Sequence, residues 1–320
     1  MMLSDFVYLG ESVPSSRVWH APQSYPNLMN LYYPQLSLLR LYKKCLLYYD
    51  AFMFTCKLIC SDIDGTLVTP SHTITQRTRE AIKKARRKGI IVALVSGRLS
   101  HSLRLIQEDL GIDGPLGCFN GSLVLDDEYN ELEAHPIDQE KCTEILQFLS
   151  TTELEHFVFT NESWYMRKRN SWYDVEVATS HIEGRIHPLL QLSEILHENE
   201  RPFKVLAMHQ DPQYIQKMSK KIEAHFTQRL NIFNSSPRYI EILARGVDKG
   251  HAVRSLCNTY AIDASEVMAV GDYYNDIGMF RAAGYAVAME NAPDLVKEHA
   301  HFITKSNTED GLALAIESVL

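Results

Sequence analysis

The sequence predicts an α/β protein: a doubly wound, Rossmann-like parallel sheet carrying a large inserted α/β cap domain. Three observations lead there. From Met53 onward, short apolar runs rich in β-branched residues alternate with stretches of helical period. That rhythm changes between about Asp138 and Arg238. It then resumes at Lys249 and continues to the C-terminus. The expected segments are therefore an extension over 1–52, core over 53–137, cap over 138–238 and core again over 239–320.

Residues 1–52 stand apart in composition. Tyrosine is dense here, and Pro14, Pro22, Pro26 and Pro34 interrupt any long periodic pattern. Leu36–Tyr49, with Arg40, Lys43 and Lys44, has the pattern of one amphipathic helix, suited to a membrane surface or a partner. The plainer reading is a non-catalytic extension, disordered or arising from a start assigned too early, since Met53 opens a self-sufficient sequence.

Lys57–Ser61 and Ile90–Val95 have the length and composition of buried parallel strands. Between them, Gln76–Lys88 puts Ala81, Ile82 and Ala85 on one helical face, with Thr75 as N-cap and Gly89 after the end. His101–Leu110 reads as a helix and Gly117–Asn120 as the end of a third strand. Leu123–Leu125 and Glu131–Glu133 form a hairpin around Asp127–Asn130. The insertion reads as helix Cys142–Ser150, strands His156–Thr160 and Ser163–Arg167, and a longer irregular part. Strand Lys204–His209, helix Gln213–Ala224 and strand Asn231–Asn234 follow. The return consists of helix Lys249–Tyr260, strand Val267–Val270, helix Asp276–Ala283, strands Tyr285–Ala288 and Phe302–Thr304, and helix Gly311–Val319.

Composition narrows the functional classes. The 40 acidic and 32 basic side chains leave a formal charge of −8, the wrong sign for a nucleic-acid footprint. No apolar run reaches the 18–20 or so residues that span a bilayer. Six cysteines without a Cys-x-x-Cys pair, and no secretory pattern at the start, suggest a reducing, cytoplasmic setting. The sequence carries no signal for an oligomeric state.

Four reactive clusters fall at strand ends or helix starts. Asp62-Ile63-Asp64-Gly65-Thr66 follows the first strand and Ser96-Gly97-Arg98 the second. Asp248-Lys249-Gly250 opens a helix, and Gly271-Asp272-Tyr273-Tyr274-Asn275-Asp276 follows the strand Val267–Val270. In open α/β sheets the ligand crevice lies beyond the carboxyl ends of the strands, so the four gather at one edge. There Asp62, Asp272 and Asp276 would repel one another unless a hard cation joined them, and oxygen donors suit magnesium. Lys249 at a helix N-terminus faces the positive end of the dipole, which a bound anion would offset. Ser96 and the Gly97 amide offer donors to the same anion. A carboxylate, a metal, a lysine and a hydroxyl together describe phosphoryl transfer.

In this order the clusters resemble the haloacid-dehalogenase-like phosphatase superfamily. The insertion, together with Phe119-Asn120-Gly121 and Met289-Glu290-Asn291-Ala292, resembles its Cof-type sugar-phosphate phosphatase branch. The likeness runs from about Phe54 to Leu320. It implies that Asp62 is the nucleophile forming an aspartyl-phosphate and Asp64 the acid, then base. It implies Mg2+ held by Asp62, the Asp64 main-chain carbonyl and Asp272. It further implies that Ser96 and Lys249 hold the phosphoryl oxygens beside the Gly97 amide, that Asn275 reaches the phosphate or the metal's shell, and that Asp276 orients Lys249 or a water on the metal. The resemblance also implies that the inserted module is a cap that closes over the site, excludes bulk water and selects the leaving group.

Arg98 and Asn120 are candidate substrate contacts. Arg167, Lys168 and Arg169 read as a solvated basic face, Trp164 and Trp172 as core anchors, and Cys60 and Cys118 as small core residues. The histidines lack a His-Glu-x-x-His spacing, so no zinc site is expected. The leading expectation is a magnesium-dependent phosphatase of small phosphorylated metabolites. The alternatives are a phosphomutase or phosphotransferase using the same intermediate, and a non-enzymatic receiver-like phospho-acceptor. Asp64 argues against the receiver, because an acid/base two residues from the acceptor speeds phosphate loss.

Overall fold

The computed structural model describes residues 54–187, 196, 199–226 and 228–320. The expected extension over 1–52 and its helix Leu36–Tyr49 lie outside the described residues.

The chain enters through β1 (Leu58–Ser61), buried along its whole length as a central parallel strand must be. Helix α1 (Gln76–Arg87) follows. The Thr75 hydroxyl accepts from the Thr78 amide at its start, and Lys84, Arg86 and Arg87 face the negative end of its dipole. Then come β2 (Ile91–Val95), α2 (Ser100–Leu110) and β3 (Leu116–Cys118), with the antiparallel pair β4 (Leu123–Leu125) and β5 (Glu131–Ala134).

The insertion begins with α3 (Gln139–Ser150), capped by the Asp138 carboxylate. It continues through β6 (Glu155–Thr160), β7 (Trp164–Met166), α4 (Ser171–Ser180), β8 (Arg185–Ile186), β9 (Pro202–Met208), α5 (Pro212–His225), β10 (Leu230–Ser236) and β11 (Tyr239–Ala244). The chain returns through α6 (Lys249–Tyr260), β12 (Val267–Gly271), α7 (Ile277–Ala282), β13 (Tyr285–Ala288), α8 (Asp294–Lys297), β14 (Phe302–Ile303) and α9 (Gly311–Glu317).

The described strands form two sheets. The first runs β14-β13-β12-β1-β2-β3-β4-β5, parallel from β14 to β3. Alternate residues serve its two faces. Ile59, Leu94, Met268 and Val270 pack with α1 and α9, while Leu58, Cys60, Ala93 and Ala269 pack with α6 and α7. The second sheet runs β10-β11-β9-β6-β7-β8 and is antiparallel except between β7 and β8. Val158, Val205, Ala207, Ile240 and Ile242 turn towards α3 and α5 and bury there. Phe157, Phe159, Leu206 and Met208 join the cluster that includes Phe119 of the first module, where Phe119 stacks on Phe203 at 5.4 Å between ring centres.

Several expectations need correction. Tyr239–Ala244 belongs to the second sheet, pairing with β9 and β10, so the sheets change hands after Ala244 and not after Arg238. The stretch read as irregular contains α4. Trp172 and Tyr173 are adjacent and Val175 is exposed, so its apolar residues form no stripe, and the Asn170 carboxamide supplies the start by accepting from the Trp172 and Tyr173 amides. The third strand stops at Cys118, because Phe119 and Asn120 are left-handed, with φ of 48° and 55°. The helix expected from Asp276 begins with a 3₁₀ turn over Tyr274–Asp276, and its α-helical part is Ile277–Ala282.

Trp164 and Trp172 are buried, as are Cys60 and Cys118. Arg167, Lys168 and Arg169 are exposed. No helix among the described residues is long and apolar enough to cross a membrane.

Candidate active site

The geometry starts from one topological fact. The chain leaves β1 towards β2 and leaves the adjacent β12 towards β13, in opposite directions across the sheet. A crevice opens where two neighbouring strands diverge in this way. Asp62 caps the end of β1, its amide bonded to the Val270 carbonyl at 2.9 Å, and Asp272 caps the end of β12.

The loop after β1 is shaped to let these carboxylates meet. Gly65 has φ of +84°, and a Cβ there would run into the Asp272 carboxylate. Thr66 Oγ1 donates to Asp272 Oδ1 at 2.9 Å. Asn291 Nδ2 donates to Asp272 Oδ2 at 3.2 Å and to the Gly65 carbonyl at 2.9 Å. Asn291 figures in the sequence only as part of the family-like run near the end. Its place on Asp272 required the fold.

Lys249 is buried beneath this edge. Its ammonium donates to Asp62 Oδ1 at 2.5 Å and to Asp276 Oδ1 at 2.6 Å. Burial alone would lower its pKa, but contact with Asp276 and Asp62 outweighs that and raises it. The two carboxylates also answer the unfavourable helix dipole at the first residue of α6. Asp276 spends its other oxygen on the Asp272 and Tyr273 amides, both at 2.8 Å. It organises the turn and Lys249, and both its oxygens are engaged.

Asp62 carries a pKa well above the usual range. Burial is the main cause; Lys249 opposes it, and repulsion from Asp276 and Asp272 adds to it. Burial and Asp276 likewise push Asp272 up to about 7, against the Thr66 hydrogen bond. The site is short of positive charge. Asp62 and Asp272 approach within 4.8 Å, with Asp276 as the third acidic neighbour. Oxygen donors with uncompensated repulsion fit a hard divalent ion such as Mg2+. The Asp64 side chain points elsewhere: Arg98 Nε and Nη2 grip it at 2.9 and 2.6 Å. Asp64 could therefore serve a metal here only through its main-chain carbonyl.

Asp62, Asp64, Ser96, Gly97, Arg98, Asp272 and Asn275 line one cavity of about 360 Å³. Its opposite wall is the second module, with Phe159, Glu176, Thr179, Lys204, Tyr239 and Glu241. Two bonds tie the walls together. Lys204 Nζ donates to the Gly97 carbonyl at 2.6 Å, and Arg98 Nη1 donates to the Thr179 carbonyl at 3.0 Å. Asn120 is buried and absent from this lining. It accepts from Asn275 at 3.0 Å and donates to Glu241 at 2.8 Å, so it relays between the modules. Arg98 is an ion-pair partner of Asp64 with its side chain 13% exposed, well inside the molecule.

Sequence reasoning missed Glu176, Lys204, Tyr239 and Glu241. The signal for Glu241 was present in the alternation of Ile240 and Ile242 around it, which marks a strand with Glu241 on the other face.

Residues 59–316 match the haloacid dehalogenase-like hydrolase family, and the chain belongs to it. It is thus an enzyme of a hydrolase family. A Bacillus subtilis relative, 5-amino-6-(5-phospho-D-ribitylamino)uracil phosphatase YwtE, is 29% identical over 82% of this chain and 98% of its own length. Pyridoxal phosphate phosphatase YbhA of Escherichia coli is 27% identical over 83% of this chain and 99% of its own. A crystal structure of a haloacid dehalogenase-like hydrolase from Bacteroides thetaiotaomicron, 26% identical, superimposes with a TM-score of 0.75, covering 83% of this chain and all of that one.

Proposed function

We propose that the protein is a magnesium-dependent phosphomonoesterase that hydrolyses small phosphorylated metabolites through an aspartyl-phosphate on Asp62. The supporting observation is the single cavity lined by Asp62, Asp64, Ser96, Gly97, Asn275 and Asp272, with Lys249 locked on Asp62 from below.

Lys249 holds Asp62 Oδ1, which leaves Oδ2 to attack phosphorus. The new bond joins Oδ2 to phosphorus, and the bond from phosphorus to the ester oxygen breaks. Asp64 gives the departing oxygen its proton. Asp64 then takes a proton from water, whose oxygen attacks phosphorus and frees phosphate and Asp62. Ser96 and the Gly97 amide meet the phosphoryl oxygens. Asp62, Asp272 and the Asp64 carbonyl would hold Mg2+, which supplies positive charge against the phosphoryl oxygens. Arg98 keeps Asp64 at the mouth of the cavity and touches the cap helix with its remaining nitrogen.

The cap wall favours a polar leaving group. Lys204, Tyr239, Glu241 and Glu176 offer donors and acceptors, and the volume suits one small metabolite. Sugar phosphates come first, with pyridoxal phosphate, flavin mononucleotide and the ribitylaminouracil phosphate named for the relative as further members of a panel. The proposal carries with it a reducing, cytoplasmic setting for the buried thiols of Cys60 and Cys118, whose pKa values burial pushes up.

Phosphate release over that panel, with magnesium and with chelator, for wild type and Asp62→Asn, tests the proposal. Release is expected to need both magnesium and Asp62. Undiminished release by Asp62→Asn or in chelator would overturn the mechanism. Phosphate moved between sugar positions without net release would make the enzyme a mutase.

A further inference from the structure

Away from the cavity, three side chains that the proposed reaction does not use converge. Glu133 and His135 lie two residues apart at the end of the edge strand β5, the spacing that places side chains on one face. His251 is the third residue of α6, its amide bonded to the Asp248 cap. His135 Nε2 lies 2.8 Å from Glu133 Oε1, and His251 Nε2 lies 2.9 Å from the same oxygen. The two rings meet edge to face, 4.5 Å between centres. All three ligand atoms fall within 4.8 Å of one another.

We propose that Glu133, His135 and His251 form a second metal site, selective for a borderline divalent ion of the zinc type and independent of the acidic cluster. Two imidazole nitrogens and one carboxylate oxygen are a donor set that zinc accepts, with a fourth position left for water. Bonds of about 2.0–2.1 Å in tetrahedral array put ligand atoms about 3.3 Å apart. The two separations from Glu133 Oε1, 2.8 and 2.9 Å, need to open by only about half an ångström to admit the ion, and the two imidazole nitrogens already lie within 4.8 Å of each other. All three groups are part-exposed, which leaves a route for entry and room for the water. Magnesium prefers oxygen and would stay in the cavity, whereas imidazole favours zinc.

The position has a structural meaning. The chain leaves the first sheet for the cap just after His135, and returns from it just before α6. An ion here would clamp the two crossings where they enter the core. A spacing rule applied to the sequence sees no zinc motif because Glu133 and His251 are 118 residues apart.

The test is zinc titration calorimetry and thermal melting of the full chain in excess magnesium. The variants are His135→Gln with His251→Gln, and separately Asp272→Asn. Wild type is expected to take up one zinc per chain and to melt higher. The double variant should lose more than about 100-fold in zinc affinity, and Asp272→Asn should keep wild-type affinity. Cobalt(II) bound to wild type should show the visible absorption of a four-coordinate nitrogen–oxygen site, which keeps the proposal testable if the double variant does not fold. No zinc uptake by wild type, equal uptake by the double variant, loss of uptake in Asp272→Asn, or cobalt without that absorption would each overturn it.

Discussion

The two walls of the cavity are built by different means. On the core side the reactive groups sit on turns just beyond strand ends, and several neighbours hold each one. Asp276 meets Lys249 and two amides, and Asp272 meets Thr66 and Asn291. On the cap side Lys204 and Glu241 project from the middle of strands, and Glu176 from a helix. The charges they feel are one another together with Arg98 and Asp64 across the cleft. The difference suggests a division of labour. Groups proposed to hold a reacting phosphoryl are locked by short local bonds, while groups proposed to meet a variable leaving group rest on the docking of one module against the other.

The sharpest way to break that comparison is to remove the lock. Lys249→Met leaves Asp62 and Asp276 as uncompensated buried charges, at a cost of about 3–5 kcal/mol. The melting temperature should fall by about ten degrees, and phosphate release should vanish. A variant that melts like wild type would show that the core wall is not organised by this cation.

Asp64→Asn separates chemistry from stability on the same wall. Its carboxylate side chain is 50% exposed but that of Arg98 is only 13% exposed, so leaving the guanidinium without its ion pair should cost about 1–3 kcal/mol. Turnover should nevertheless fall by about 10²–10⁴-fold, as for loss of an acid/base. Comparing kcat with the melting curve checks both halves. A large loss of stability with modest kinetic change would assign Asp64 to scaffolding.

For the cap wall, Lys204→Met removes a contact to the Gly97 carbonyl and to Glu241. KM should rise about tenfold, equivalent to about 1.4 kcal/mol, with kcat little altered. A fall in kcat at constant KM would place Lys204 with the catalytic groups and erase the distinction drawn above.

A pH-dependent effect, absent in acid, is expected at Glu176. Burial in the cleft pushes its carboxyl up to about 7, with Glu241 and Asp64 adding to the shift and Lys204 and Arg98 opposing it. The folded state therefore holds this proton more tightly than the unfolded state, whose pKa is near 4.5. The penalty is absent below the unfolded value, grows as pH rises towards about 7 and is complete above it. Glu176→Gln should melt a few degrees above wild type at pH 8, from about 1–2 kcal/mol, and with no difference at acidic pH. A difference that is the same at both pH values would mean that Glu176 is not strained by its charge.

How much of this was legible in the chain differs residue by residue. The four clusters around Asp62, Ser96, Lys249 and Asp272 could be read because each lies within a few residues of a strand or helix boundary. Turn chemistry at such a boundary is local, and it constrains residue type strongly. The buried strands and their helices were readable for the same reason, since their periodicities are local. Helix α4 and strand β11 were missed. In α4 the apolar residues do not mark one face, and β11 lies just beyond an assumed module boundary that only its pairing with β9 corrects.

By itself the sequence determined the alternation of strands and helices, the order of the reactive turns and the family they resemble. Tertiary structure alone decided that Arg98 grips Asp64, that Asn120 links Asn275 to Glu241, and that Glu133 and His135 meet His251. The physical reason is range. Propensity, capping and alternation act over a few residues, whereas these contacts join residues 34, 121 and 118 positions apart. Only the packing of one sheet against the other, and of α6 against β5, brings such partners within bonding distance.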